Sequence, residues 1–225
     1  MNKGFTLVEV MVVIAIIGII SVFAIPNLKS WYWGFETKSA CDDIMNTLVT
    51  AKMDAIKSGN DTAVVFYTND NCPDTVAGVS TGVGNTDCYF IVNDTNDDCQ
   101  VISDIPACFQ KGEFDGMIDT LPTNIVFSPT MVPSAGLPVP STYCVVTGKN
   151  TQPCMITSSC TFCNGNVGAV VFQPNGSAFM LLNSGSSNFG GSITIIPAQD
   201  VGNGDSSREC AIGIVSLTGA VKEFF

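Results

Sequence analysis

A long apolar run dominates the start of the chain. From Phe5 to Ile25 the clearly polar positions are Thr6, Glu9 and Ser21. A helix of this length extends about 32 Å at about 1.5 Å per residue, which is enough to cross the hydrocarbon core of a bilayer. The pattern therefore predicts a hydrophobic transmembrane or assembly helix over residues 5–28.

A second helical pattern follows over residues 29–58. Apolar positions recur there at three- and four-residue steps, which predicts an amphipathic helix that buries one stripe. Gly59 is a typical helix C-terminal stop. Because the ring of Pro26 removes an intrahelical hydrogen bond, we expect a kink or local melting near residues 24–28. The recurring apolar positions are Cys41, Ile44, Met45, Leu48, Ala51, Ala55 and Ile56.

The remainder, residues 59–225, reads as a β-rich head. Short β-branched and aromatic runs alternate with Gly, Pro, Asn, Asp and Ser, which is typical of antiparallel strands and turns. No long helical pattern separates these runs, so a parallel sheet is not expected. We predict an α+β fold, with the long N-terminal helix packed on a mostly antiparallel, sandwich-like head. The predicted strands are Ala63–Tyr67, Cys88–Val92, Val101–Ile102, Asn124–Phe127, Tyr143–Val146, Val167–Phe172, Ala178–Leu182, Ser192–Ile196 and Ala211–Ser216.

The acid inside the first apolar run requires an explanation. A carboxylate at the centre of a membrane helix costs about 2.5–3.5 kcal/mol, so Glu9 is a candidate functional residue. The string Gly4-Phe5-Thr6-Leu7-Val8-Glu9 resembles the processing site of the class III leader in the type IV pilin superfamily. The resemblance implies that a prepilin peptidase removes residues 1–4 and N-methylates Phe5. It also implies that Glu9 pairs with the terminal amine of a neighbouring subunit in a filament.

Two other interpretations of this segment remain open. One is a secretory signal peptide cleaved near Ala24, although the apolar run is longer than the usual ~7–15 residues and Glu9 interrupts it. The other is a plain membrane anchor, which accounts for the length of the run but not for Gly4 or Glu9.

Three later stretches narrow the resemblance. Ser39–Val65 resembles the second half of the helix and the first strand of the GspH/FimT class of minor pilins, and within it Ala51–Ile56 fits an Ala-Arg-x-x-Ala-Ile-like turn with Lys52 in place of the arginine. Val170–Gly176 and Ile214–Lys222 resemble the last strands of that class. The class usually ends in Thr-Gly-Arg-Val-Arg, whereas Ala220 and Lys222 stand at the arginine positions here.

This resemblance implies a structural role. The chain is expected to be a minor pilin or pseudopilin that is inserted once in the inner membrane with its head in the periplasm. It is then assembled into a type IV pilus or a type II secretion pseudopilus. The implied partners are the prepilin peptidase, other pilins or pseudopilins, and membrane lipid before assembly. The alternative is a membrane-anchored protein on the same scaffold that captures a ligand or DNA.

Charge argues against the DNA branch of that alternative. Some FimT-type pilins bind DNA through a basic C-terminal region, and such binding depends on Lys and Arg contacts to phosphates. This chain has a formal net charge of −11. Because the acidic excess lies in the head, we expect long-range repulsion of nucleic acid.

Ten cysteines raise the question of redox state. In a head outside the cytoplasm, disulfides are the default. Zinc held by Cys144, Cys154, Cys160 and Cys163 is an open alternative, and so is a redox-active CxxC. The disulfide candidates are Cys41, Cys72, Cys88, Cys99, Cys108, Cys144, Cys154, Cys160, Cys163 and Cys210.

Two acidic loops are weak calcium candidates. The first contains Asp94, Asp97 and Asp98, with alternating oxygen donors but without the glycine and the late glutamate of an EF-hand. The second contains Asp200 and Asp205. Solvated turns are the simpler interpretation of both, and we expect no cofactor.

No catalytic constellation is recognisable in the sequence. The chain has no histidine, which removes the commonest general base, and its acids lie scattered in loops. We therefore expect a structural protein rather than an enzyme.

Overall fold

The structure is a computed structural model of the 225-residue chain. For residues 23–28, 138–139, 154–155, 182, 185–187, 202–203 and 224 it describes the backbone alone. Several predictions lie outside the described residues, namely those on Gly4, Phe5, Asp97, Cys144, Cys160, Asp205 and the strands 101–102 and 143–146. The described residues are 6–84, 86–96, 98–99, 105, 107–114, 116–127, 138–139, 154–155, 163, 165–182, 185–187, 190–203, 207–215 and 218–224.

One helix, α1, runs over Leu7–Ser58 and unites the two predicted helical segments. It ends at Gly59, whose φ of 76° is left-handed and whose N–H donates to Ala55 O at 3.0 Å. The backbone stays helical through Pro26, so the predicted local melting there is wrong. A proline removes a single donor, and the turns on either side keep their own hydrogen bonds. A bend at this point stays a prediction.

The head consists of antiparallel sheets, which confirms the α+β prediction. The described elements after α1 are β1 Asp61–Tyr67, β2 Thr75–Val76, β3 Val79–Ser80, β4 Cys88–Asp94, β5 Asp119–Thr120, β6 Ile125–Phe127, β7 Pro138–Val139, β8 Cys154–Met155, β9 Val167–Phe172, β10 Ala178–Leu182, β11 Gly185–Ser187, β12 Gly191–Pro197, α2 Ala198–Asn203, β13 Cys210–Val215 and β14 Ala220–Phe224. A six-stranded sheet has the order β11-β10-β9-β1-β4-β5, a four-stranded sheet has the order β14-β13-β12-β6, and β2–β3 and β7–β8 form two-stranded sheets.

The main core forms where the buried stripe of α1 meets both large sheets. Ile44 and Leu48 of the helix are fully buried against Phe66 of the six-stranded sheet and Ile193 of the four-stranded sheet. Phe66 also meets Phe127 edge to face at 6.0 Å, which joins the two sheets. Burial of such side chains contributes about 1.5–3 kcal/mol each. The helix is therefore an integral layer of the head.

A second core covers the opposite face of the six-stranded sheet. Val65 and Phe90 point to that side, where loop residues Ile105, Phe109 and Phe114 cover them. The six-stranded sheet is consequently buried on both faces, which accounts for the continuous apolar runs in β1 and β4.

Candidate functional site

The start of α1 is a capping box formed by Thr6 and Glu9. The Thr6 backbone N–H and hydroxyl both donate to Glu9 Oε2 at 2.9 Å, and the Glu9 N–H donates to Thr6 Oγ1 at 3.3 Å. This reciprocal pairing satisfies N–H groups that have no partner within the helix, and a carboxylate there complements the helix dipole. Glu9 therefore lies at the very start of the helix, with its carboxylate turned back toward the chain terminus.

Large apolar side chains from Leu7 to Val22 are exposed along the first turns of α1. Leu7 is 74 % exposed, Ile14 is 64 % exposed and Val22 is 69 % exposed. A continuous exposed apolar surface of this kind is typical of a region that binds another protein or a membrane. Within the described part of the chain, no helix combines the length and the apolarity that a membrane crossing demands.

The helix is joined to the head by a buried disulfide and an arginine clamp. Cys41 and Cys210 are fully buried and bonded, with a Cα–Cα distance of 6.4 Å. Arg208 donates from Nε to Asp200 Oδ2 at 2.9 Å and from a terminal nitrogen to Asp200 Oδ1 at 2.5 Å. Its other terminal nitrogen donates to Ser30 Oγ at 2.9 Å, and the guanidinium lies 5.7 Å from the Trp33 ring centroid. Both oxygens of the Asp200 carboxylate, which is a calcium candidate by sequence, therefore accept hydrogen bonds from Arg208.

Disulfides confirm the main cysteine prediction. Cys72 pairs with Cys88, and Cys99 pairs with Cys108. Cys163 is also disulfide-bonded. Because its sulfur is not a thiolate, it cannot be the zinc ligand that the four-cysteine hypothesis requires, and that hypothesis is wrong for Cys163. Among the cysteines that the structure describes, none is free.

The first acidic loop is a hydrogen-bonded turn. Ligand atoms of Asp94, Asp98 and Cys99 lie within 4.8 Å of one another, but the Cys99 sulfur is in the disulfide. Asp94 Oδ2 accepts from the Cys99 N–H at 3.3 Å. Asp98 Oδ2 accepts from the side-chain amides of Asn96 and Gln110 at 2.8 and 3.1 Å. These contacts favour a structural turn over a calcium site.

Sequence reasoning missed two buried acids that organise loops. Asp87 accepts from the Asp70 and Phe127 N–H groups, both at 2.9 Å, and so ties the loop after β1 to β6. Desolvation, only partly offset by these hydrogen bonds, raises the pKa of the Asp87 carboxyl. Glu113 accepts from Thr95 N and Oγ1 and from Gln110 N at 2.7–2.9 Å. The contact between Gln110 and Glu113 is local, at three residues' separation. The contacts of Asp87 with Asp70 and Phe127, and those of Glu113 with Thr95, have no local signature, because only the fold brings these groups near.

A polar cavity of about 400 Å³ was also not predicted. It lies beside the C-terminal end of α1 and the adjoining ends of β1 and β4. No motif points to it, since its walls come from separate parts of the chain. The residues that line it are Asp54, Lys57, Ser58, Thr62, Ile91, Asn93, Gly112 and Glu113.

Comparison with known proteins adds one finding at the chain start. No solved structure matches the chain. Residues 1–25 match the family described as the prokaryotic N-terminal methylation motif. This range contains Gly4, Phe5 and the capping box at Glu9. The match supports a prepilin-type leader in residues 1–25 and a precursor of the pilin or pseudopilin type.

Proposed function

We propose that the chain is the precursor of a minor pilin or pseudopilin of the GspH/FimT type. In this proposal a prepilin peptidase cleaves after Gly4 and N-methylates Phe5. The subunit is held in the inner membrane with its head in the periplasm and then assembles with other pilins into a pilus or a secretion pseudopilus. The methylation-motif match at residues 1–25, followed directly by an exposed apolar helix, is the observation that carries the proposal.

The geometry at the helix start supports a role for Glu9 in assembly. Cleavage after Gly4 creates a cationic amine on Phe5, one residue before the Thr6 cap. In the single chain Glu9 is satisfied by Thr6. In an apolar filament core, an unpaired amine or carboxylate costs several kcal/mol, and pairing between subunits recovers part of it. A Glu9–amine pair therefore favours one axial register between neighbouring helices.

The disulfides support a location of the head outside the cytoplasm. Cross-links persist in oxidising compartments and are rare where thiols are kept reduced. The periplasm is oxidising, and the processing site lies at the opposite end of the apolar run from the head. The topology with the leader inside and the head outside is consistent with both features.

The subclass is supported by where its three characteristic stretches lie. Lys52 of α1 donates from Nζ to Thr218 O at 2.7 Å. A Cβ on Gly219 would lie 2.5 Å from Gly176 O, so the two turns are in direct contact. The stretches 51–56, 170–176 and 214–222 thus meet at the far end of the helix. Their shared location indicates that they act together as one packing motif.

Mass spectrometry of the protein purified from its host tests processing. We expect a mature chain that starts with N-methyl-phenylalanine at Phe5. An intact Met1, or a start near Ile25, would contradict the proposal and favour an uncleaved anchor or a signal peptide.

Assembly is tested separately with Glu9→Val. We expect normal processing and membrane level but loss of the subunit from sheared filaments or from cross-linked pseudopilus, because the terminal amine loses its partner. Asp43→Val removes an exposed acid from the same helix outside the apolar run and is the matched control. Normal incorporation of Glu9→Val would refute the assigned role.

A further inference from the structure

Three aromatic side chains face outward from α1 just after the apolar run. Trp31 is 70 % exposed, Tyr32 is 54 % exposed and Phe35 is 62 % exposed. The rings of Trp31 and Phe35 stack with their centroids 6.1 Å apart. A patch of exposed apolar side chains is typical of a surface that binds a protein or a membrane. We refer to Trp31, Tyr32 and Phe35 as the aromatic cluster.

The head holds the opposite side of the helix at the same level. Trp33 lies about 200° around the helix axis from Trp31, at about 100° per residue, and is half-buried. Its ring centroid lies 4.6 Å from Lys29 Nζ and 5.7 Å from the guanidinium of Arg208. Arg208 also donates to Ser30 Oγ. A rotation of α1 that brought the aromatic cluster to the head would break these contacts, so the cluster is held facing outward.

The aromatic cluster lies at the level of the lipid headgroups when the apolar run is in a bilayer. Because α1 is one helix from Leu7 to Ser58, Trp31 lies about 4.5 Å beyond residue 28, at about 1.5 Å per residue. The polar layer extends about 5–7 Å beyond each side of the hydrocarbon core. Side chains on a helix lean toward its N-terminus, which brings the rings of Trp31 and Phe35 back toward the core.

The chemistry of this level of the helix also favours lipid. Tryptophan and tyrosine are enriched at membrane interfaces, because each has an apolar ring and a polar N–H or O–H group. Lys29 is exposed beside the aromatic cluster, and its ammonium can donate to a lipid phosphate. The net charge of −11 gives the chain as a whole no attraction to an anionic surface. Attachment at this level therefore depends on the rings and on Lys29.

We propose that the aromatic cluster and Lys29 bind the phospholipid headgroup layer and fix the depth of the subunit in the membrane before assembly. This inference rests on the membrane stage of the proposed function. The rings lie between the headgroups and the acyl chains, and the Lys29 ammonium donates to a phosphate. Because α1 is continuous, an anchor at this level also fixes the depth of Glu9 at the other end of the apolar run.

Fluorescence quenching tests the contact, because the chain has two tryptophans on opposite sides of the helix. Full-length Trp33→Phe retains Trp31, and full-length Trp31→Phe retains Trp33 as the matched control. Each variant is reconstituted at a low protein-to-lipid ratio in phosphatidylcholine vesicles that contain lipid brominated near the headgroup end of the acyl chains. We expect this lipid to quench Trp31 at least about threefold more strongly than Trp33, since only Trp31 faces the lipid.

A third protein reports separately whether the apolar run is in the bilayer. Ile14→Trp, combined with Trp31→Phe and Trp33→Phe, places a single tryptophan within the run. We expect lipid brominated near the bilayer centre to quench it strongly. Absence of that quenching would contradict the membrane stage of the proposed function and, with it, this inference. Strong quenching of this probe, with no more quenching of Trp31 than of Trp33, would overturn the inference alone.

The same probe tests whether the aromatic cluster sets the depth. Trp31→Ser, Tyr32→Ser and Phe35→Ser are combined with Ile14→Trp and Trp33→Phe. We expect the ratio of quenching by the deep and shallow brominated lipids to change at least about twofold, because the helix loses its interfacial anchor.

The matched control for depth is Val49→Ser with Met53→Ser, introduced into the three-substitution probe protein. It removes two exposed apolar side chains from the same helix beyond the aromatic cluster, and the ratio should stay unchanged. An equal change in both serine variants, or no change in either, would overturn the assigned anchor. Protection of Trp31 from brominated lipid only at high protein-to-lipid ratios would fit the proposal, since a second copy then replaces lipid on assembly. The same protection at low ratios would refute it.

Discussion

Removal of the Cys41–Cys210 disulfide tests how far the long helix depends on its covalent joint with the head. The bond links the middle of α1 to β13 across a sequence separation of 169 residues. Among the disulfides that the structure describes at both ends, this bond closes the longest loop. Both of its cysteines lie in the main core. We expect the double variant Cys41→Ala/Cys210→Ala to fold but to lose much of its stability.

The magnitude follows from the entropy of the unfolded chain. Closing a loop of 169 residues contributes about 5.2 kcal/mol by the loop-closure relation. The two other bridges that the structure describes at both ends lie inside this loop, and they lower that figure by only about 0.1 kcal/mol, because the dependence on length is logarithmic. For Cys99–Cys108, with a separation of 9 residues, the same relation gives about 2.6 kcal/mol.

The two double alanine variants are therefore compared with each other. Cys41 and Cys210 are fully buried, whereas Cys108 is only half-buried, so loss of packing adds to the effect of loop length in the Cys41/Cys210 variant. We expect the Cys41/Cys210 variant to unfold with a free energy at least about 2.6 kcal/mol lower than the Cys99/Cys108 variant. Urea unfolding without reductant measures both values, with tryptophan fluorescence as the signal, since Trp33 lies in the joint itself.

The reasoning is refuted if the two variants lose the same stability within about 0.5 kcal/mol, which is the usual error of such comparisons. It is also refuted if the variant with the short loop is the less stable one. Either result would mean that packing around each bridge, rather than constraint of the unfolded chain, determines its contribution.

Two further substitutions test the buried charges of the joint. Burial raises the pKa of the Glu209 carboxyl above its ordinary value of 4.5. The folded state therefore keeps this proton to a higher pH than the unfolded state does. The protonated carboxyl contributes to stability below pH 4.5, and this contribution is lost as the pH rises through the raised pKa. Glu209→Gln should raise the melting temperature at neutral pH and converge with the wild type near pH 4, and a constant offset across pH would contradict this. Arg208→Lys removes the two-pronged contact with the buried Asp200 carboxylate, and we expect a loss of about 1–3 kcal/mol in urea unfolding. Lys111→Arg, at an exposed site, is the control, and equal stability of the two variants would refute the importance of the clamp.

Local pattern predicted the main elements of the fold, with instructive exceptions. Strands such as β1, β4, β9 and β12 were recognisable because buried β-branched runs between turn residues have few alternatives. The helix α2 was missed, since its six residues AQDVGN lack a periodic apolar stripe. At Pro26 the helical neighbours on both sides outweighed the local rule that proline interrupts a helix.

Sequence alone determined the features that depend on neighbours in the chain. The leader motif, the apolar run and the position of Glu9 lie within one short stretch, so their spacing is readable without a fold. The sequence likewise indicated that the cysteines form disulfides, because an even number of cysteines in a head expected outside the cytoplasm predicts bonding.

Tertiary structure decided everything that joins distant segments. The pairing of Cys41 with Cys210 and the hydrogen bond from Arg208 to Ser30 both depend on how α1 packs against the four-stranded sheet. The cavity at Thr62 and Asn93 likewise has walls from the end of α1, from two strands and from the loop at Gly112 and Glu113. Such contacts arise when separate surfaces are buried together, and no local periodicity records which surfaces those are.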